Sequence, residues 1–484
     1  MSAQEKLPLS KNSVAQWIHV VIILFFMFGF KYVCPPFSTI TEVGVGVLGV
    51  FIGLVYGWTT CGVFWTSILG MIALGFTGFQ TVTESLQYGI SHNNVLTLLF
   101  VFPFMYIVEE AGIVRWISYK LVNLRIGRGR PWVLSFLLVF TAAIISALVN
   151  PFVAIFFVWS MFYSVCDICH LEKGKYTQFM IAGIAFGATI GCQLFIFSPP
   201  VMQAVGVYEG ISGYTFNAVK YSVWVLVVET VYYILFVLYG KFILRLDLSN
   251  IQIDKIEGGE DHLDTYQKIT MVFLVLFLVF MFWPSFLPAE WTSSQVFSAL
   301  GSKGVPAILL VAMVMLNFSK GIDINEMFTK GIRWSAIFLT ACVMVIINAV
   351  GSPEVGISDA LAALLSPLLE GRSALVFIAL VTLIPAIITN FGSNVVVALL
   401  FIPISYTFAS TAGFNYHAIA LAVFLCSNAA LGTPAGCATA AILHGNSEWI
   451  TSGQAARHGA VQVVIVWAST LLIGYPLGCF LFPV

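Results

Sequence analysis

The chain has 484 residues, 60% of them hydrophobic and only 9% charged, with a mean hydropathy of +0.97. A soluble domain carries about 25% charged residues, so this composition excludes a soluble globular protein. A net charge of −1 points to no nucleic-acid partner.

The N-terminal stretch MSAQEKLPLSKNSVAQ reads as a polar lead-in to a first span, not as a cleavable signal. Apolar runs then recur along the chain. They centre on Val20–Phe30, Val43–Tyr56, Ile68–Phe79, Val95–Val108, Val223–Tyr239, Ile269–Phe282, Ile337–Ala349 and Val461–Ile473. With their flanks, such runs have the length of membrane helices. The expectation is an all-α polytopic membrane protein of about 11 transmembrane helices. Its place would be a bacterial inner (plasma) membrane, with the lipid bilayer as solvent.

Lys and Arg cluster on the side that membrane insertion keeps in the cytosol. With the N-terminus inside, all 21 Lys and Arg fall inside except Lys31, Lys220, Lys303 and Arg372. Arg130 and Lys173 are then on the same side, and between them only Asp167 and Glu172 are charged. Two full spans would satisfy this, and so would a hairpin that enters and turns back near Asn150. The segment Ser373–Asn415 is wholly uncharged and has Asn394 near its middle.

Sliding one half by 244 positions sets SALVNPFVAIFFVWS on NFGSNVVVALLFIPI and Asn150 on Asn394. Further on, IAFGATIGCQLFIFSPPV pairs with IALAVFLCSNAALGTPAG, and Ser198-Pro199-Pro200 faces Thr433-Pro434-Ala435. Residues 111–130 are purely basic, whereas 352–372 hold Glu354, Asp359 and Glu370 against Arg372. Opposite flanking charge marks an inverted-topology repeat, the plan of secondary transporters with midplane sites at broken helices. The predicted layout is an N-terminal scaffold (1–94), repeat 1 (95–240), a cytosolic linker (241–268), connecting helices (269–316) and repeat 2 (317–484). Broken backbone at membrane depth survives only when buried in protein or lining a cavity. Exposed helix N-termini there favour an anion, and freed carbonyls favour a cation.

On these residues the chain resembles the divalent anion/sodium symporter family of the ion transporter superfamily, from about Val95 to the C-terminus. That resemblance implies two hairpins with Ser-Asn-Thr tips, two spans unwound at Thr-Pro-Pro-like segments, an elevator motion and a homodimer. It also implies a small organic anion, of di- or tricarboxylate type, moved with sodium as the coupling ion and with no other cofactor. Carried over, substrate contacts fall on Asn150, Pro151, Asn394, Val395, Ser198 and Thr433. Sodium contacts fall on Ser146, Asn150, Thr389, Ser393, Asn394, Gly432 and Ala435.

The tips depart from the family. The first reads Val149-Asn150-Pro151 and the second Ser393-Asn394-Val395, so both carboxylate-contacting threonines are missing. Pro151 is suited to the first helical position but donates no hydrogen bond. The second sodium site is thus the better preserved, and a differently shaped anion or a sodium-independent exchanger stays open. So does a cation or proton antiporter on the superfamily fold, although the hairpins lack the Asp or Lys it would use.

Other features have plainer readings. Ile113–Leu124 and Ile357–Leu369 look like amphipathic surface helices linking scaffold and moving part. Gly49, Gly53 and Gly57 permit close helix approach, either at a dimer interface or inside the protomer. Glu229, the one acid deep in an apolar span, either couples a proton or pairs with a hydroxyl or Lys220. Cys166-Asp167-Ile168-Cys169-His170 matches a haem-attachment pattern too short to carry weight, and His444 with Glu448 makes only two metal ligands. No Walker-type loop or nucleophile elbow occurs in the sequence, so neither an ATP-driven pump nor an enzyme is expected.

Overall fold

The computed structural model describes residues 13–248, 262–286, 290–317, 323–357, 359–360, 363, 373–391 and 394–484. These residues are helical apart from their connections. Among the described residues, eight helices are long and apolar enough to cross a membrane, or up to ten if each of two bent pairs counts as one span. The protein is therefore an all-α, multi-pass integral membrane protein.

Helices α1 (Ser13–Leu24), α2 (Glu42–Thr60) and α3 (Val63–Leu74) form the N-terminal layer. The glycine stripe of α2 is filled from within the protomer. A Cβ at Gly49 would lie 2.6 Å from Phe26 O, and one at Gly53 2.6 Å from Met27 Cγ. Those glycines let the first span lie directly against α2.

Next come α4 (Val82–Ser91) and α5 (Asn93–Glu110), bent by 49° where His92 interrupts them. The short α6 (Ile113–Val122) follows. Lys120 lies 5.7 Å from the ring of Trp116 and 5.8 Å from that of Tyr119, as the basic amphipathic pattern of this segment led one to expect. Most of the second predicted surface helix, Ile357–Leu369, lies outside the described residues.

A hairpin of α7 (Pro131–Leu148) and α8 (Pro151–Ile168) then packs on α9 (Lys175–Gly191). A Cβ at Gly187 would run into Val139 O and one at Gly191 into Ala143, so glycine lets these backbones touch. After a break come α10 (Pro199–Ser212) and α11 (Ala218–Leu238). The connecting helices are α12 (Thr265–Phe286), α13 (Thr292–Asn317), kinked at Gly301 where φ is 62°, and α14 (Trp334–Gly351).

The same order of elements then recurs. Helices α15 (Ala374–Ile388) and α16 (Asn394–Thr411) pack as a pair, α17 (Tyr416–Ser427) breaks off, and α18 (Ala438–Gly445) follows. Helix α19 (Ser452–Ser469) runs through a widened turn into α20 (Tyr475–Leu481). The two series interlock. Thr189 Oγ1 bonds Thr439 Oγ1 at 2.8 Å, Gln462 Nε2 bonds Ala182 O at 3.2 Å, and Trp224 Nε1 bonds Gly474 O at 2.7 Å.

Candidate functional site

The first tip is built by Asn150. Its Oδ1 accepts from the backbone N–H of Val153 at 2.9 Å, so it caps α8, and Pro151 takes the first helical position. Asn150 is buried, and its amide nitrogen has no partner among the described residues. One turn earlier, Ser146 Oγ donates to Ala188 O at 2.5 Å and ties α7 to α9.

The second hairpin repeats the device. Thr389 Oγ1 donates to Ser427 O at 2.5 Å and ties the end of α15 to α17. Both hydroxyls are thus donors to neighbouring carbonyls, with lone pairs left over for a cation. Ser393 lies outside the described residues. Asn394 opens α16, and its Nδ2 donates to Asn428 Oδ1 at 2.7 Å.

The helix breaks are longer and begin earlier than the sequence led us to expect. In the first half, Cys192–Ser198 is non-helical, and Pro199-Pro200 starts α10 instead of lying in the break. In the second, the chain is unwound over Asn428–Cys437. A proline pair preorganises a helix start as readily as it disrupts a helix, which accounts for the shift.

Asn390, which the sequence reading passed over, holds the second break in place. Its Nδ2 donates to Ala386 O at 2.8 Å and to Ala429 O at 3.0 Å, while its Oδ1 accepts from Gly432 N at 2.6 Å. Its own carbonyl accepts from the Thr433 hydroxyl, which also accepts from Ala435 N at 3.2 Å. Thr389, Gly432, Thr433 and Ala435 are therefore brought to one junction. From α19, a Cβ at Gly459 would lie 2.5 Å from Leu431 O, so that helix presses on the same segment.

Beside this junction lies a crevice of about 200 Å³, too narrow in this conformation to admit a water. Pro200, Gln203 and Ala204 of α10 face Asn394, Val395 and Ala398 of α16 across it, with Asn428 at the end of α17. The positive N-terminal ends of α10 and α16 thus meet at a pair of amides. Asn150, Pro151, Ser146 and Ser198 do not line this crevice; Ser198 takes the N-cap position before Pro199 without a side-chain capping bond. Asn428 and Gln203 were also missed. One signal for Asn428 was present, because the internal alignment sets it on Gln193, an amide in the other break.

Glu229 lies buried on α11 and accepts from Tyr233 OH at 3.0 Å. Lys220 instead reaches Leu481 O at 3.4 Å, so of the two expected partners it is the hydroxyl that pairs. His444 is engaged by Ser452 Oγ at 2.7 Å and Leu431 O at 3.2 Å, while Glu448 pairs with Lys173 at 2.8 Å. They do not act as a metal pair.

The family profile described as Citrate transporter matches residues 51–427 and 295–482, most of the chain. The chain belongs to the citrate transporter family. The resemblance to the divalent anion/sodium symporters and their superfamily accordingly holds. Among curated proteins, the family member is 25% identical over 293 residues to the sodium-dependent dicarboxylate transporter SdcS of Staphylococcus saprophyticus. The match covers 57% of this chain and 54% of the relative, so the chain spans about half the length of the curated relative it matches. Among solved structures it resembles the Alcanivorax borkumensis YdaH transporter, described as having an unusual topology. The TM-score is 0.61 at 14% identity, covering 96% of this chain and 99% of that one. That likeness shows a shared fold.

Proposed function

We propose that this chain is a secondary active transporter of a small organic anion, of di- or tricarboxylate type, with sodium as coupling ion. One observation carries the reading: the N-terminal ends of α10 and α16 meet at the Asn394–Asn428 amide pair, in a crevice between two broken helices. Two positive helix ends favour a carboxylate, and carboxamides supply both donors and acceptors. Sodium would be held by the carbonyls of the unwound Asn428–Cys437 segment with the hydroxyl oxygens of Thr389 and Ser393. Asn394, Gly432 and Ala435 complete that set; Ser146 and Asn150 would serve the first tip. Substrate would meet Asn394, Val395, Thr433 and, from the first half, Asn150, Pro151 and Ser198. The name of the staphylococcal relative supports both substrate class and ion.

The repeated order of hairpin, broken helix and long helix supports an inverted repeat of residues 95–240 and 317–484. The remaining N-terminal and connecting helices would be the scaffold of a homodimer in a bacterial plasma membrane, with the N-terminus in the cytosol. The repeats would move across it as an elevator.

The test is a thermal-shift panel on the purified chain with succinate, malate, citrate, α-ketoglutarate, sulfate and monocarboxylates, each with and without sodium. A ligand at about 100 times its Kd adds roughly 2.7 kcal/mol. Sodium-dependent stabilisation by a di- or tricarboxylate is expected, with uptake by proteoliposomes. Stabilisation by a carboxylate regardless of sodium would instead favour an exchanger, to which Pro151 at the first tip lends itself. Stabilisation by none of these anions overturns the substrate class.

A further inference from the structure

Charge counting makes Arg333 one more basic residue at a helix end. Its surroundings are different. It precedes α14 and is only partly exposed, with its guanidinium carbon 5.9 Å from the ring of Phe102 and 6.0 Å from that of Phe152. Phe152 stands in the first turn of α8, two residues after Asn150. Among the described residues the guanidinium donates no hydrogen bond and sits in no ion pair, although it has five N–H groups to give. Glu109 is near enough to feel its charge but does not pair with it, and so is the thiol of Cys192 at the start of the first helix break.

The helix relates this cation to the crevice. Thr340 lies seven residues further along the chain, about two turns into α14 and so roughly 10 Å along the helix axis. Its hydroxyl accepts from Gln203 Nε2 at 2.9 Å, and Gln203 lines the crevice opposite Asn394. Arg333 therefore stands at the N-terminal end of the helix whose Thr340 holds a crevice residue, and against Phe152 of the tip that carries Val149 and Pro151 in place of hydroxyl donors. Aromatic faces hold a guanidinium in place without using its donors. A planar fork so held is suited to a carboxylate, which it can bind through two parallel hydrogen bonds.

We propose that Arg333 receives one carboxylate of the transported anion, next to Asn150, and thereby sets a preference for anions with two or more carboxylates. The inference rests on the transport reading above. At the first tip it replaces lost hydroxyl donors with a cation supplied by α14.

Uptake kinetics of citrate, succinate and a monocarboxylate in proteoliposomes test it, with Arg333→Met and Arg333→Lys beside the wild type. Met keeps an apolar stem between the two rings; Lys keeps the charge. For Arg333→Met, KM for citrate and succinate should rise roughly ten- to a hundredfold, the worth of a charge-assisted hydrogen bond. Its kcat, its monocarboxylate KM and its melting temperature without ligand should change little, and Arg333→Lys should fall between. Unchanged KM values for all three anions would overturn the proposal and leave Arg333 as packing between α5 and α8. If Arg333→Met does not survive purification, phenylglyoxal labelling of the wild type decides. Citrate should slow modification at Arg333, and equal rates with and without citrate overturn the proposal. A wild type that is neither stabilised by nor transports any carboxylate would instead bring down the transport reading, and this inference with it.

Discussion

Replacing Asn390 by Ala tests whether the second helix break is held by one side chain. The substitution removes the amide bonds to Ala429 O at 3.0 Å and Gly432 N at 2.6 Å, which join α15 to the unwound segment, and the local bond to Ala386 O. The Ala429 contact is fully buried and that to Gly432 partly so. An orphaned buried group costs about 1–3 kcal/mol and a lost part-buried bond about 1 kcal/mol, giving a total of about 2–4 kcal/mol. For a globular chain of 484 residues the unfolding entropy is on the order of 1 kcal/mol/K, so Tm should fall by about 2–4 °C. A smaller cooperative unit would shift further. The control is Phe391→Ala on the same turn, where the ring is 74% exposed and only surface contact is lost. Both variants would be followed by thermal unfolding in detergent and by proteoliposome uptake. Asn390→Ala should lose stability and uptake together, and Phe391→Ala should keep both. If the two variants melt within 1 °C of each other, Asn390 does not hold the break and the junction has been misread.

Four further outcomes follow from the same contacts. Gly459→Ala places a methyl 2.5 Å from Leu431 O and should lower Tm and uptake, whereas Gly453→Ala on the same helix meets open space and should be silent in both assays. Thr189→Val and Thr439→Val each break the hydroxyl pair joining the two series; a double-mutant cycle on Tm should show coupling of about 0.5–1.5 kcal/mol. Val395→Thr adds a hydroxyl to the crevice wall and should lower KM for a dicarboxylate, by up to about tenfold; a raised KM would mean that the apolar group is itself required. Glu229→Gln keeps an oxygen for Tyr233 and, if sodium is the coupling ion, should leave sodium-dependent stabilisation unchanged in the thermal-shift assay.

Much of this was legible in the sequence because polar residues and prolines in apolar surroundings are conspicuous. Asn150 and Pro151 announced a helix start, and the structure has one there. Thr389 and Ser146 stood one turn or so before each tip and prove to make similar bonds to the helix after the hairpin, although Ala188 aligns with Val423, one turn from Ser427. What the sequence hid was direction. A break is equally visible whether a proline pair ends one helix or begins the next, so the first break was placed too late by several residues. Asn390 was obscured by its neighbours, since a stretch of five polar or small residues does not say which side chain turns inward. Arg333 was obscured by the charge rule itself, which treats each basic residue as a solvated marker and carries no information on the rings beside it.

The departures at the tips acquire a physical sense once the amides are counted. Hydroxyls are missing after Asn150 and Asn394, yet carboxamides of Asn394, Asn428 and Gln203 gather at the crevice, and Gln193 lies in the other break. A carboxamide offers a donor and an acceptor from one group, so it can face a carboxylate or a cation by turning about one bond. Gln203 Oε1 and both polar atoms of Gln193 are buried without a partner among the described residues. Each such orphan costs about 1–3 kcal/mol, a penalty relieved in any conformation or complex that gives it a partner. In the crevice itself the unfilled acceptor is Gln203 Oε1, which water or a hydrated ligand entering there would supply with a donor. The fixed positive ends of α10 and α16 decide which sign of charge gains most when it opens. On the proposal above, the charge of Arg333 beside the first tip then adds to these fixed dipoles, and it is the group on which the number of substrate carboxylates should depend.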